Sequence, residues 1–225
     1  MIKLVAFLKR KPGTSPEAFQ DYWRAEHGPK VRAVQGIRGY VQSHTLLSGY
    51  RKGEPAYDGV AELWYDDTGT MRAASESAEW AAVRRDEPSF MDVDALAWVL
   101  TEEHVIADGD PPPDGVKNVE LVIRRPDLPL DEFFDYWRRL HGPIATGIPT
   151  MRRYVQSHAI RSSYAQGRKP PCDGIASVWF ENTDAMREGA RSAAYAHTRA
   201  DEANFLAPPL PFVITREHVV VPPPR

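Results

Sequence analysis

The sequence predicts an α+β protein built from two βαββαβ units in tandem. Three observations carry that prediction. The first is internal repetition. Asp21-Tyr22-Trp23-Arg24 with His27-Gly28-Pro29 returns as Asp135-Tyr136-Trp137-Arg138 with His141-Gly142-Pro143, and Tyr40-Val41-Gln42-Ser43-His44 returns as Tyr154-Val155-Gln156-Ser157-His158. Both blocks recur at one offset of 114 residues (Trp23 to Trp137), which identifies a tandem duplication. The second is the punctuation between the copies. Asp108 to Gly115 carries Pro111, Pro112 and Pro113 between Gly and Asp residues, a run that continues neither helix nor strand. Pro222, Pro223 and Pro224 stand at the matching place after the second copy and predict an extended or disordered tail. The third is the order of hydrophobic periods, which alternates between strand and helix identically in both copies.

In the first copy, Ile2 to Lys9 reads as a strand. Thr14 is a candidate helix cap, with Pro16 in the first turn and Glu17 three residues on. Phe19, Tyr22, Trp23 and His27 then fall on one helical face, and Gly28-Pro29 is expected to break or kink that helix. Gly39 to Leu47 is a strand, residues 48 to 56 a loop, and Tyr57 to Tyr65 a third strand. Asp67 to about Asp86 is a second helix with Thr68 as candidate cap, and Ala95 to Ile106 a fourth strand. The second copy follows as Val116 to Ile123, Leu130 to His141, Arg153 to Ile160, Cys172 to Phe180, Thr183 to Asn204 and Phe212 to Val221. The offset becomes 115 for Trp64/Trp179 and Asp86/Asp201, then 114 again for His104/His218, so the length differences fall in loops.

A βαββαβ unit is a split-βαβ, ferredoxin-like sandwich with both helices on one face of a four-stranded sheet. The other face needs a partner, and the covalent twin supplies it. The expected architecture is two domains, residues 1–108 and 116–221 joined by 109–115, with sheets packed face to face as a pseudo-dimeric α+β barrel.

Composition narrows the function. A net charge of −3 with acidic and basic residues interspersed gives no case for nucleic acid or an anionic membrane. No apolar run is long enough to span a bilayer, and the short apolar start lacks a signal-peptide cleavage pattern. A lone cysteine, Cys172, excludes an internal disulfide and suits a reducing, cytoplasmic setting.

Six of the seven histidines form three repeated pairs. His27 and His141 end the first helix of each copy, where imidazole serves either as general acid/base or as a helix-end partner for carbonyls. Tyr40, Gln42 and His44 alternate onto one strand face, as do Tyr154, Gln156 and His158. Such a row lines a cavity or satisfies itself near a strand end. Trp23 and Trp137 read first as core. Glu103-His104 and Glu217-His218 point to opposite faces of a strand, and no short ligand spacing supports a metal. No phosphate loop, dinucleotide fingerprint or nucleophile elbow is present.

The pattern Phe19-x-x-Tyr22-Trp23-x-x-x-His27-Gly28-Pro29, repeated from Phe133 to Pro143 and followed each time by a Tyr-bearing strand, resembles the EthD domain family of the dimeric α+β barrel superfamily. Single-domain relatives that dimerise make this chain resemble a fused pseudo-dimer; whether it associates further is open. The resemblance implies acid/base roles for His27 with Tyr40, and for His141 with Tyr154, as in methylisomerase-like members. It implies no organic cofactor and no metal. Tyr22, Trp23, Gln42, His44 and Trp64, with Tyr136, Trp137, Gln156, His158 and Trp179, are the candidate substrate contacts. The copies differ at Ala6/Glu120, Glu26/Leu140, Glu62/Ser177 and Trp80/Tyr195, so the two pockets are not chemically identical. The resulting expectation is a cofactor-independent enzyme that isomerises, dehydrates or cyclises a small cyclic or polyketide-like hydrophobic molecule. Its rivals are a non-catalytic binding or accessory protein of the same fold and, more remotely, a cofactor-free monooxygenase.

Overall fold

A computed structural model describes residues 1–224. The fold is α+β with two ferredoxin-like repeats. The strands of the first repeat are β1 (Ile2–Leu8), β2 (Gly39–Thr45), β3 (Gly59–Tyr65) and β4 (Ala97–Ala107). Those of the second are β5 (Val116–Val122), β6 (Met151–Ala159), β7 (Gly174–Phe180) and β8 (Phe212–Val221). Neighbouring strands run in the order β4-β1-β3-β2 in the first repeat and β8-β5-β7-β6 in the second.

By contact, the compact units are not the repeats. Unit 1 is residues 1–102 together with the segment from Thr215 onward, and unit 2 is Glu103–Ile214. The cause lies in β4 and β8, which are longer than a four-stranded sheet requires. Residues 97–101 of β4 pair with β1, and Thr215–Val221 of β8 pair with β2. The remainder of β4 neighbours β6, and β8 also neighbours β5. Each unit therefore holds five strand segments, and the boundary at 109–115 expected from the prolines is not where the contacts divide.

Several helix boundaries differ from the sequence expectation. Helix α1 (Pro16–Tyr22) is capped by Ser15, whose hydroxyl accepts from the Ala18 N–H, not by Thr14. Gly28-Pro29 does not end the helix. A π-turn spans Trp23–His27, and α2 (Gly28–Arg32) continues from it. Proline fits there because a first-turn N–H has no intrahelical acceptor to lose. The second helical region is two helices, α3 (Thr68–Ser75) and α4 (Ala78–Asp86), capped by Asp67 and Ser77. Asp67, not Thr68, is the cap. The second repeat matches: α5 (Leu130–Tyr136), a π-turn Trp137–His141, α6 (Gly142–Ala145), α7 (Thr183–Gly189) and α8 (Ala193–Asp201). The expected loop at 48–56 begins in a 3₁₀ turn, Leu47–Lys52.

The helix-covered face of unit 1 buries Phe19, Trp23, Tyr40 and Phe90. In unit 2, Phe133, Trp137, Tyr154 and Phe205 form the corresponding cluster. The opposite sheet face is polar as well as buried: Lys3 Nζ lies 3.0 Å from Glu62 Oε1, and the Ser43 hydroxyl donates to Glu62 Oε2.

Candidate active site

Each unit carries a cavity between its helices and its sheet. The unit 1 cavity measures about 230 Å³ and is lined by Leu4, Ala6, Trp23, His27, Tyr40, Leu63, Trp80 and Glu87 among others. The unit 2 cavity measures about 310 Å³, and its lining includes Asn118, Glu120, His141, Tyr154, Arg199 and Glu202. His27 with Tyr40, and His141 with Tyr154, therefore share a cavity in each case.

The histidines are held by a partner the sequence reading missed. His27 Nδ1 lies 2.8 Å from Asp86 Oδ2, and His141 Nδ1 lies 2.8 Å from Asp201 Oδ2. Tyr22 donates its phenol proton to Asp86 Oδ1 at 2.9 Å, and Tyr136 does the same to Asp201 at 2.7 Å. Lys30 Nζ completes the first carboxylate at 3.1 Å. Its repeat counterpart is Ile144, and in unit 2 Asn204 Nδ2 donates to Asp201 instead. Burial pushes both carboxyls up, but the hydrogen bonds converging on them hold both below the usual carboxylate range. Burial lowers both imidazoles, outweighing the attraction of the aspartates. The consistent assignment is a neutral ring with its Nδ1 proton donated to an ionised aspartate. That leaves the Nε2 lone pair as a base. Glu26, flagged because Leu140 replaces it, is exposed and not part of the cavity lining.

The tyrosines are held equally firmly. Trp23 Nε1 donates to the Tyr40 oxygen at 3.1 Å, and Gln42 Nε2 donates to it at 3.0 Å. Gln42 Nε2 also donates to the Trp23 carbonyl, which accepts the Gly28 N–H of the π-turn as well. The amide is fixed in this orientation by His44, whose Nε2 proton is donated to Gln42 Oε1 at 3.0 Å. Trp137, Tyr154, Gln156 and His158 repeat the arrangement at 3.2, 3.0 and 3.0 Å. A phenol oxygen already accepting two hydrogen bonds has its own proton left to give. Burial raises both tyrosines, so each remains a donor at neutral pH.

The structure therefore sorts the candidate contacts. Trp23 lines the unit 1 cavity, whereas Trp137, Gln42, Gln156, His44 and His158 stand behind the cavity lining. His44 stacks on Trp23, and His158 on Trp137, each at 4.6 Å between centroids. Tyr22 and Tyr136 serve the aspartates. Trp64 and Trp179 are not in the cavities: they lie with Lys3 and Lys117, at 5.3 and 5.1 Å from ring centroid to ammonium. Buried Cys172 is raised by desolvation and is a poor nucleophile. Among the described residues no group of three or more His, Cys, Asp or Glu is placed to hold a metal, and no helix is long and apolar enough to cross a membrane.

Glu120, Arg199 and Glu202 were not singled out as site residues. The available signal was Ala6→Glu120 between repeats. Asp86 and Asp201 were visible as a matched pair, but only the fold places them beside the histidines.

The chain is a tandem ferredoxin-like α+β protein with a buried His–Asp pair and a buried tyrosine on a cavity in each unit. The EthD domain model matches residues 11–94 and again 125–209, and the chain belongs to the EthD family. It is similar in structure to an anthrone oxidase-like protein, with a TM-score of 0.67 at 13% identity, covering 97% of this chain and 92% of that one. A mutant chlorite dismutase from Candidatus Nitrospira defluvii gives 0.54 at 11% identity, covering 97% and 92%. An EthD family protein from Bacillus halodurans c-125 is 26% identical over 46% of this chain and 99% of that one, with a TM-score of 0.39. The first two likenesses establish fold alone. No curated protein matches the chain.

Proposed function

We propose that the protein is an enzyme of acid/base type that isomerises, dehydrates or cyclises a small cyclic, oxygenated, largely hydrophobic substrate. The observation that carries this reading is the presence, in one cavity lining, of a neutral histidine backed by an ionised aspartate and a tyrosine whose proton is uncommitted. Histidine Nε2 takes a proton from carbon beside a carbonyl. The tyrosine donates to the oxygen on which negative charge develops. The mostly apolar walls exclude water and strengthen both interactions. The proton on Nε2 then returns to a different atom of the same substrate for isomerisation, or leaves with water for dehydration.

The unit 2 cavity is assigned the chemistry. It is the larger and carries three polar groups that unit 1 replaces or lacks: Asn118 and Glu120 stand where unit 1 has Leu4 and Ala6, and Thr198 where it has Val83. The unit 1 cavity, with the same His–Asp–Tyr frame in apolar walls, serves as a hydrophobic binding site.

The test is turnover of a panel of unsaturated lactones and hydroxylated tricyclic ketones, followed by ultraviolet absorbance and by an oxygen electrode. His141→Asn is expected to lower kcat by about 10²–10⁴-fold, with His27→Asn near wild type. Unchanged rates in both variants would remove the histidines from the mechanism. Oxygen consumption matching turnover would replace the acid/base reading with monooxygenation, the chemistry suggested by the oxidase-like fold relative.

A further inference from the structure

The two cavities share one frame but differ in one wall. In unit 2, the Arg199 guanidinium bridges two carboxylates: Nη1 lies 3.2 Å from Glu120 Oε1 and 2.9 Å from Glu202 Oε1. Both glutamate side chains are 15% exposed, and all three residues line the cavity. Two residues before Glu120 on β5, and so on the same sheet face, stands Asn118. Its Oδ1 is buried, has no hydrogen-bond partner, and belongs to a side chain lining the same cavity. A buried acceptor without a donor is uncommon and costly to maintain. In unit 1 this wall reduces to one ion pair, Arg84 Nε to Glu87 Oε2 at 3.4 Å, beside Leu4 and Ala6.

We propose that Asn118 with Glu120 and Glu202, the two glutamates tied together by Arg199, form a hydroxyl-recognition wall that selects substrates bearing a neutral hydrogen-bond donor, a ring hydroxyl, in addition to the reacting carbonyl. The proposal rests on reading the unit 2 cavity as the substrate site. Its chemistry follows from the groups present. Asn118 Oδ1 and the carboxylate oxygens accept hydrogen bonds, and Arg199 Nη1 is committed to both glutamates. The wall therefore presents Asn118 Oδ1 as a buried acceptor without a partner, with carboxylate oxygens beside it. One cation between two carboxylates leaves at most a single negative charge. Burial pushes Glu202 up to about 7 despite Arg199, and raises Glu120 as well, so the cluster retains a proton near neutrality and is close to neutral overall. A near-neutral acceptor wall suits a hydroxyl better than an ammonium group. It also places the discrimination in unit 2 alone.

The experiment is a pair of isosteric probes, 2-naphthol and 2-methylnaphthalene, titrated into the ¹⁵N-labelled full chain. Binding is read separately at the Glu120 and Glu202 amides for unit 2 and at the Ala6 and Glu87 amides for unit 1. Unit 2 should prefer the naphthol by about 2- to 10-fold, the range expected for one net hydrogen bond to a neutral acceptor. Unit 1 should show little preference. Glu120→Ala, which installs the residue unit 1 carries at that position, should collapse the unit 2 preference toward the unit 1 value, and Glu202→Gln should weaken it. His141→Asn should keep the preference, so failure of the catalytic reading and failure of this one give different results. Equal binding of the two probes in wild-type unit 2, including no binding of either, overturns the proposal. So does a preference that survives both glutamate substitutions in folded protein.

Discussion

Acid should unfold this protein through two histidines that never touch the cavity. His44 and His158 are 9% and 6% exposed, stacked behind Trp23 and Trp137. Burial pushes His44 from 6.5 down to about 3, with His218 and Arg24 adding repulsion. His158 is lowered at least as far, by burial and then by His104 and Arg138. Both are neutral in the folded state and titrate normally once unfolded. The stability they contribute is therefore complete above about pH 6.5 and is lost as pH falls from there toward about 3. At about pH 4.5 the unfolded chain gains two units of proton affinity per histidine, worth about 3 kcal/mol each at about 1.4 kcal/mol per unit. Together that is about 5–6 kcal/mol, comparable to the whole stability of many domains. Glu202 runs the other way. Its raised folded value makes it more stabilising as pH falls between about 7 and 4.5, by about 2–3 kcal/mol. The wild-type curve is thus shallower than the histidines alone dictate. The decisive quantity is the difference between wild type and His44→Gln/His158→Gln. Urea unfolding followed by tryptophan fluorescence across this range gives both curves. The double variant should lose about 5 kcal/mol less than wild type on going from about pH 7 to 4.5, whatever its starting stability. Parallel curves for the two proteins would refute the reasoning.

Two further outcomes test the packing that supports the cavities. A Cβ built on Gly174 would overlap the Trp137 ring and sit 2.8 Å from the Ser157 carbonyl oxygen. Gly174→Ala should therefore cost about 1–3 kcal/mol and perturb the near-ultraviolet dichroism of Trp137, since that ring is 1% exposed and has nowhere to retreat; an unchanged melting temperature would show that the ring relocates freely. Lys3→Met removes the buried cation 3.0 Å from Glu62 and should cost about 3–5 kcal/mol, whereas Lys3→Met/Glu62→Leu should recover most of it. A double variant as unstable as the single one would mean that the pair contributes through contacts other than its own charge.

Much of the frame was readable without coordinates because it depends on local chemistry. Ferredoxin-like strand order follows from alternating periods of two and 3.6, and duplication from a fixed offset. His27 and Tyr40 were legible as site candidates because the family pattern marks them. Asp86 and Asp201 were not. They stand 59 and 60 residues from the histidines they orient, and an aspartate at the end of a helix has no distinctive signature until that helix is packed. Ser15 and Asp67 were missed as caps for a smaller reason, since two adjacent cap-competent residues compete and only the backbone angles decide. The Gly28-Pro29 pair pointed to a break. A π-turn absorbs it, because the Trp23 carbonyl is satisfied by the Gly28 N–H and by Gln42.

The sequence by itself determined the repeat, the fold class and the family, and it singled out the His–Tyr pairs as candidates. These reside in short motifs whose physics is local or whose pattern is specific. Tertiary structure alone decided which groups surround those pairs. It set Gln42 behind Tyr40 and His44 behind Trp23, sent Trp64 and Trp179 to the sheet face beside the lysines, and brought Glu120, Arg199 and Glu202 together from a strand, a helix and the turn that follows it. It also moved the unit boundaries into β4 and β8, where strand pairing outweighs the punctuation of the prolines. Protonation states belong to the same category: an imidazole or carboxyl acquires its working state from burial and partners, and both exist only once distant segments meet.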